Sequence, residues 1–285
     1  MDWLTDNKIP IGDWASDFFD WLRDNFSGVF DAMADGAEAL IEGLLWLLQT
    51  PHPLIIIGLF VGLTWILQRN WKTCLLVLVG FLFILNQEYW EATTESLTLV
   101  MSACLVCMSI GVPIGIFVAH RPKLYRYLQP VLDLMQTLPT FVYLIPAIVF
   151  FGIGNAPAIF LIGLGAFFPT VVNTMHGVRQ IDVTLYKAAR MMGANEREMI
   201  RRVILPGALP SIMTGIRLYM GIAWVLVVVA EILAVRSGLG YLLNDAYQFY
   251  RNDVVIAAML SAAMMMTRRA SSSGAVRRII IGSIR

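Results

Sequence analysis

Lys187-Ala188-Ala189, Gly193 after three intervening residues, and Val203-Ile204-Leu205-Pro206 after nine more lie in a polar, arginine-rich stretch between two apolar ones. The local chemistry of this stretch decides the fold. Asp182 is placed to cap a short helix over 183–192, and Gly193 supplies the residue without a Cβ that a left-handed helix terminus favours. Asn195 with Glu198 three residues later makes a capping box for a second helix. Pro206 and Pro210 are expected to stop that helix. The result is a compact corner kept in water by Arg190, Arg197, Arg201 and Arg202, of a shape another protein can grip. The alternative is a surface helix pair whose arginines bind lipid headgroups.

Composition sets the environment of this corner. With 58% hydrophobic and 14% charged residues and a mean hydropathy of +0.70, the chain is a membrane protein, because soluble domains carry about 25% charged residues. Apolar stretches at 53–68, 73–87, 96–119, 130–152, 156–176, 208–233 and 254–267 suit a bilayer core of about 30 Å. Arg69 and Lys72, then Arg121, Lys123 and Arg126, then the corner, then Arg268, Arg269, Arg277 and Arg278 fall on one side, which the positive-inside rule makes cytoplasmic. Glu88, Glu91, Glu95, Asp245 and Asp253 fall on the other. Seven spans, with the N-terminus outside and the C-terminus inside, satisfy this alternation.

Residues 1–50 form an acidic region with Trp14, Phe18, Trp21, Val29, Phe30, Met33, Ile41 and Leu48 at helical spacing, the pattern of amphipathic helices lying at the outer interface. No basic segment precedes an apolar core, so it does not read as a signal peptide. Residues 51–91 then hold two spans and 92–267 five more, with the corner inside the loop 179–206. A basic tail, 268–285, follows. Only about 14 apolar residues separate Asp253 from Arg268, roughly 20 Å of helix. Either that helix starts earlier and tilts, or the tail departs from the original reading frame or is truncated.

In 130–152, Pro139 and Pro146 free backbone carbonyls, which a membrane tolerates only where protein or a cavity re-satisfies them. The reading is a bent span lining a pathway. Gln136, Thr137, Thr140, Phe141, Tyr143 and Asn155 lie on or beside it, with Asn173 on the next span and Trp224 on the sixth. Aromatic faces such as Phe141, Tyr143 and Trp224 suit a quaternary ammonium, which offers no hydrogen-bond donor; helix–helix packing is the other use of the same residues. Glu231 is the one acid well inside an apolar pattern, and reads as an interfacial or structurally paired group. Asp133 reads as an acid at a cytoplasmic helix start, and Arg217 as a group that pairs or reaches for the boundary.

Cys74, Cys104 and Cys107 lie in apolar spans, and His52, His120 and His176 are scattered, so no metal or redox site is expected. Nothing fits a phosphate-binding loop, no catalytic group is expected, and no nucleic-acid partner.

Lys187, Ala188, Ala189, Gly193, Val203, Leu205 and Pro206 resemble the "EAA" loop of the permease subunits of ABC-type importers, with Lys187 standing for Glu and Val203 for Ile. The resemblance implies an all-α integral membrane protein with a five-helix permease core. It implies also a cytoplasmic ATPase that grips the loop and holds ATP and Mg, an extracytoplasmic binding protein, a permease homodimer in the inner membrane, and no cofactor in this subunit. Leu132-Asp133-Leu134-Met135-Gln136-Thr137-Leu138-Pro139-Thr140-Phe141-Val142-Tyr143-Leu144-Ile145-Pro146 and Phe151-Gly152-Ile153-Gly154-Asn155-Ala156-Pro157 resemble glycine betaine, proline betaine and choline permeases. Leu205-Pro206-Gly207, Ala230-Glu231 and Ser237-Gly238-Leu239-Gly240-Tyr241 are more similar to permeases for taurine, alkanesulfonates and nitrate. An ion-coupled secondary transporter is the competing class; scarce intramembrane charge and no inverted repeat oppose it.

Overall fold

A computed structural model describes residues 11–266, and among these the regular elements are all helices. The basic tail 268–285 and Asp2 and Asp6 of the acidic region lie outside the described residues. In chain order the helices are α1 (Ile11–Gln49), α2 (Pro53–Gln68), α3 (Trp71–Asn86), α4 (Trp90–Ala119), α5 (Pro122–Thr137), a 3-10 turn (Thr140–Tyr143), α6 (Leu144–Phe151), α7 (Asn155–Arg179), α8 (Val183–Met191), α9 (Glu196–Met199), a π turn (Ile200–Ile204), α10 (Leu205–Leu233), α11 (Gly238–Gln248) and α12 (Asn252–Met266). Among the described residues, three helical stretches are long and apolar enough to cross a membrane singly: α4, α7, and the run from α9 through α10. Two bent pairs, α1 with α2 and α5 with α6, bring the number to as many as five, and α3 and α12 are shorter apolar helices.

The core is the α4–α7–α10 stack. Leu99, Val100 and Ala103 of α4, Leu161, Ile162 and Ala166 of α7, and Ala223, Val227 and Ala230 of α10 form one buried cluster. Small residues set the helix spacing, since lipid gives no hydrophobic drive for association and close packing must supply it. A Cβ on Gly177 would stand 2.6 Å from the Ser211 Cβ, and one on Gly215 2.8 Å from the Asn173 Cβ.

The bend expected in 130–152 is a sharp one: α5, a 3-10 turn and α6, with a turn of 98° between the two arms. Of its prolines only Pro139 breaks the chain: Leu138 (ψ 138°) and Pro139 (ψ 115°) are both extended, as a residue before proline is driven to be. Pro146 sits in the first turn of α6, where proline's fixed φ suits the helix. Asp133 is in the interior of α5, which starts at Pro122, so it is not a helix-start acid.

Nor do Pro206 and Pro210 stop the helix from Asn195. It runs on to Leu233 through the π turn, where the Leu205 amide donates to the Ile200 carbonyl. The wider turn shifts the hydrogen-bond register just before Pro206, whose missing N–H then falls at the start of α10. α12 begins at Asn252, slightly earlier than the hydropathy indicated.

The described part of the acidic region, from Ile11, is helical on both sides of a kink at Phe26 (φ −121°, ψ 17°), two helices run end to end. Ile41 joins the central core, with Ala37 and Leu45 packed on it, while Trp14, Phe18 and Trp21 remain exposed. The break has a clear consequence. Phe19 and Phe30 would be about 16 Å apart along a straight helix, yet both rings meet Phe150 of α6, at centroid distances of 5.5 and 4.6 Å. Phe30 also contacts Phe151, which packs on Phe160 of α7. α1 therefore clasps the end of α6.

Aromatic pairs of this kind contribute about 0.5–1.5 kcal/mol each. Phe150→Ala is expected to free the first half of α1, giving faster limited proteolysis within residues 11–30 with the rest of the chain intact. Trp14→Ala, on an exposed face, is expected to leave the cleavage rate unchanged.

Candidate functional site

The corner forms as its residues dictate. Asp182 accepts from the Thr184 amide at 2.8 Å, and the Thr184 hydroxyl and amide hold its carboxyl below the usual carboxylate range. α8 ends at Gly193, with φ +79°. There the Ala194 amide donates to Ala189 O and the Gly193 amide to Arg190 O, the paired bonds of a Schellman terminus. The box at Asn195 is complete: Glu198 N donates to Asn195 Oδ1 at 2.9 Å, and Asn195 N to Glu198 Oε2 at 3.2 Å. Arg190 bridges the turn to Glu196 at 3.1 Å.

The motif residues divide into an inner and an outer set. Ala189 is buried with Met199 and Ile204, and Val203 packs on this cluster together with Ile116 of α4, Val178 of α7 and Ile181. Ala188 and Pro206 are half-buried. Lys187, Gly193 and Leu205 are exposed, as are Arg197, Arg201 and Arg202. The tip carries Met191 and Met192, 83% and 82% exposed, and the start of α8 exposes Val183 and Leu185. Sequence reading missed these methionines, which are the adaptable apolar side chains a partner surface packs against. Their position flanking Gly193 was the available signal.

The pathway candidates do not form one constellation. Gln136, Thr137, Pro139 and Phe141 are exposed along the bend. Thr140 docks over Gly165 of α7, next to Leu226 of α10. The Tyr143 hydroxyl donates to Met135 O at 3.2 Å, tying the two arms of the bend together. Pro146 is half-buried on α6. Asn155 starts α7 and Asn173 lies eighteen residues along it, about 27 Å away; the Asn173 amide donates to Pro169 O of its own helix. Trp224 is buried in the core and lines a groove toward α2 and α3. The bend thus gathers Gln136 to Tyr143, while Asn155, Asn173 and Trp224 belong elsewhere.

Glu231 proves fully buried and structurally paired. Ser96 Oγ of α4 donates to Oε1 at 2.5 Å and the Gly240 amide to Oε2 at 2.6 Å, while Ser96 Oγ accepts from the Leu239 amide at 2.9 Å. A Cβ on Gly238 (φ +92°) would lie 2.2 Å from Oε1, and one on Gly240 2.8 Å from Oε2. The two glycines let the backbone close on the carboxylate, joining α10, α4 and the start of α11. Sequence reading could not find Ser96, which is 135 residues from its acceptor. Among the described residues no group of His, Cys, Asp and Glu is placed to hold a metal ion.

Helices at this spacing, a corner leading directly into a membrane-crossing helix, and homologous sequence define a membrane permease subunit. Residues 111–280 match the family of binding-protein-dependent transport system inner membrane components. The chain is 34% identical to a glycine betaine transport system permease protein of Bacillus subtilis over 82% of both chains. It is 34% identical to the taurine transport system permease protein of Escherichia coli over 64% of this chain and 66% of that one. An inward-facing structure of the MetNI methionine ABC transporter shares the fold, with a TM-score of 0.56 at 22% identity over 67% of this chain and 93% of that one. The chain belongs to this family of inner-membrane importer components: it is a multi-pass transporter subunit of an ABC importer, not an enzyme.

Glu231→Ala is expected to lower the thermal midpoint of the detergent-solubilised protein, because each orphaned buried donor costs about 1–3 kcal/mol. Glu231→Gln, which keeps an acceptor, is expected to lose less. Gly240→Val, which must displace the carboxylate, is expected to fall with the alanine variant.

Proposed function

We propose that this subunit passes a betaine-type solute, a quaternary ammonium compatible solute such as glycine betaine, delivered by an extracytoplasmic binding protein and driven by a cytoplasmic ATPase that grips the Gly193 corner. The observation that carries the reading is the corner itself. It is internally locked by a Schellman terminus and a capping box, exposes Met191 and Met192, and is anchored through Ala189 and Met199 to Ile116 and Val178. A push on such a unit is not absorbed locally. It passes to α4 and α7 through the anchoring cluster and to α10 through a continuous helix.

In this mechanism two copies of the chain face each other around a pathway, with the corners cytoplasmic and the N-termini outside. ATP-driven closure of two ATPase subunits draws the corners together, the subunits switch from inward-open to outward-open, solute enters from the binding protein, and hydrolysis resets the pair. The ATPase holds ATP and Mg. The exposed Lys187, Arg197 and Arg201 favour an acidic rim on the ATPase cleft.

The sulfonate reading is weaker. Its residues Glu231, Gly238 and Gly240 belong to the buried clasp, which serves the scaffold whatever the cargo. The betaine resemblance falls instead on the bend, where Gln136, Thr137 and Phe141 are exposed.

Gly193→Val is expected to abolish ATP-dependent uptake of labelled glycine betaine while leaving the protein in the membrane, since a β-branched residue at φ +79° costs about 1–2 kcal/mol or more and unlocks the corner. Normal uptake by this variant counts against the coupling role. Uptake of taurine but not glycine betaine by the unaltered transporter replaces the proposed cargo with the sulfonate class.

A further inference from the structure

The α2–α3 hairpin stands off from the permease core. Its helices pack on each other through Phe60 and Phe81 and reach Trp90 at the start of α4, and Met264 of α12 leans on Gly80. Toward α10 a groove of about 780 Å³ remains, in the range of about 300–1,000 Å³ that ligand sites occupy. It is lined largely by apolar side chains, among them Leu63, Leu76, Ile84, Met213, Met220 and Trp224.

Two features define what fits. A buried water needs about two to four polar partners, and this lining offers few: the Thr64 hydroxyl is spent on Phe60 O. None of the lining residues is acidic and one, Arg217, is a cation. Gln68, the last residue of α2, also lines the groove, and the turn that follows it carries Arg69 and Lys72. Trp65 and Trp71, both exposed, flank this turn, as tryptophans do at headgroup depth. The groove therefore has a hydrocarbon body and a cationic mouth near one membrane surface.

We propose that this groove is a binding site for a phospholipid with an anionic headgroup. One acyl chain fills the cleft between the hairpin and α10, and the phosphate is drawn by Arg217 in the lining together with Arg69 and Lys72 at the turn after Gln68. The guanidinium has five donors, so it serves the phosphate beside the contact it makes within the protein. The lipid completes the seam that joins the hairpin to the core.

The groove can be tested because it has a silent handle. Gly221 lines it, and a Cβ there meets nothing within 4 Å, so Gly221→Leu fills the cleft without disturbing the backbone. The full-length chain in its assembled transporter is equilibrated with vesicles holding equal phosphatidylglycerol and phosphatidylethanolamine, purified in mild detergent, and its retained lipid measured by mass spectrometry. The unaltered protein is expected to retain phosphatidylglycerol over phosphatidylethanolamine by about fivefold, the worth of one basic residue at a lipid surface. Gly221→Leu is expected to lose that lipid while keeping its elution volume and thermal midpoint; Arg217→Gln is expected to keep lipid with a reduced preference. Equal retention of the two lipids by the unaltered protein, or undiminished retention by Gly221→Leu, overturns the proposal. So does a Gly221→Cys variant whose thiol crosslinks to residues 267–285 or to a second copy, since that assigns the groove to protein.

Discussion

A backbone amide or carbonyl inside hydrocarbon has no water to fall back on, and three departures from regular α-helix in this protein bear on that constraint. After the break at Pro139, which is itself exposed, Thr140 of the 3-10 turn docks over Gly165, beside Leu226. The turn after α10 is covered by the buried Glu231 carboxylate and Ser96, which take up the Gly240 and Leu239 amides. The π turn before Pro206 keeps the helix bonded through a residue that cannot donate. The close α4–α7–α10 stack supplies the covering surface in the first two cases, and its glycine-spaced contacts are what bring that surface near enough.

That arrangement separates what could be read along the chain from what could not. The corner was legible because its bonds are local: Asp182 to Thr184, Gly193 to Arg190, Asn195 to Glu198. Pro139, Pro206 and Pro210 look alike in sequence, and only the first breaks a helix. The difference lies in tertiary cover at Gly165 and in a π turn, neither of which leaves a mark in nearby residues. Asp133 misled for a related reason, since hydropathy begins the span near 130 while the amphipathic helix begins at Pro122. Apolar residues on one face of α5, Leu124, Leu128 and Leu132, pack on α4 and α7 even though the segment as a whole is not hydrophobic. The clasp on Phe150 and the pairing of Glu231 join distant segments, so spacing rules could not supply them.

The candidate pathway shows the same limit. Gln136 through Tyr143 lie together because one bend holds them all. Asn155, Asn173 and Trp224 were grouped with them on chemical type, and the three-dimensional chain separates them along α7 and across the core. Chemical type says what a residue can contact; the helix face decides what it does contact. Trp224 has the ring that a cationic solute would use, yet it is packed against the stack and the groove beside α2 and α3.

The mixed resemblance of the chain follows from where constraints lie. Residues 205–241 hold the corner's outgoing helix, the small residues that set its spacing, and the Glu231 clasp with its two close-packed glycines. A change at Gly238 or Gly240 collides with a buried carboxylate irrespective of what is carried, so importers of different cargo can share these residues without sharing a substrate. The bend is under a different rule. Gln136, Thr137, Pro139 and Phe141 are exposed, so packing within this chain leaves them free to vary, and the extended backbone at Leu138 and Pro139 needs only the proline. Leu132, Leu144 and Ala156 of the same stretch are buried and serve the scaffold, so it is the exposed Gln136, Thr137 and Phe141 that give the bend more weight than the clasp in assigning the solute.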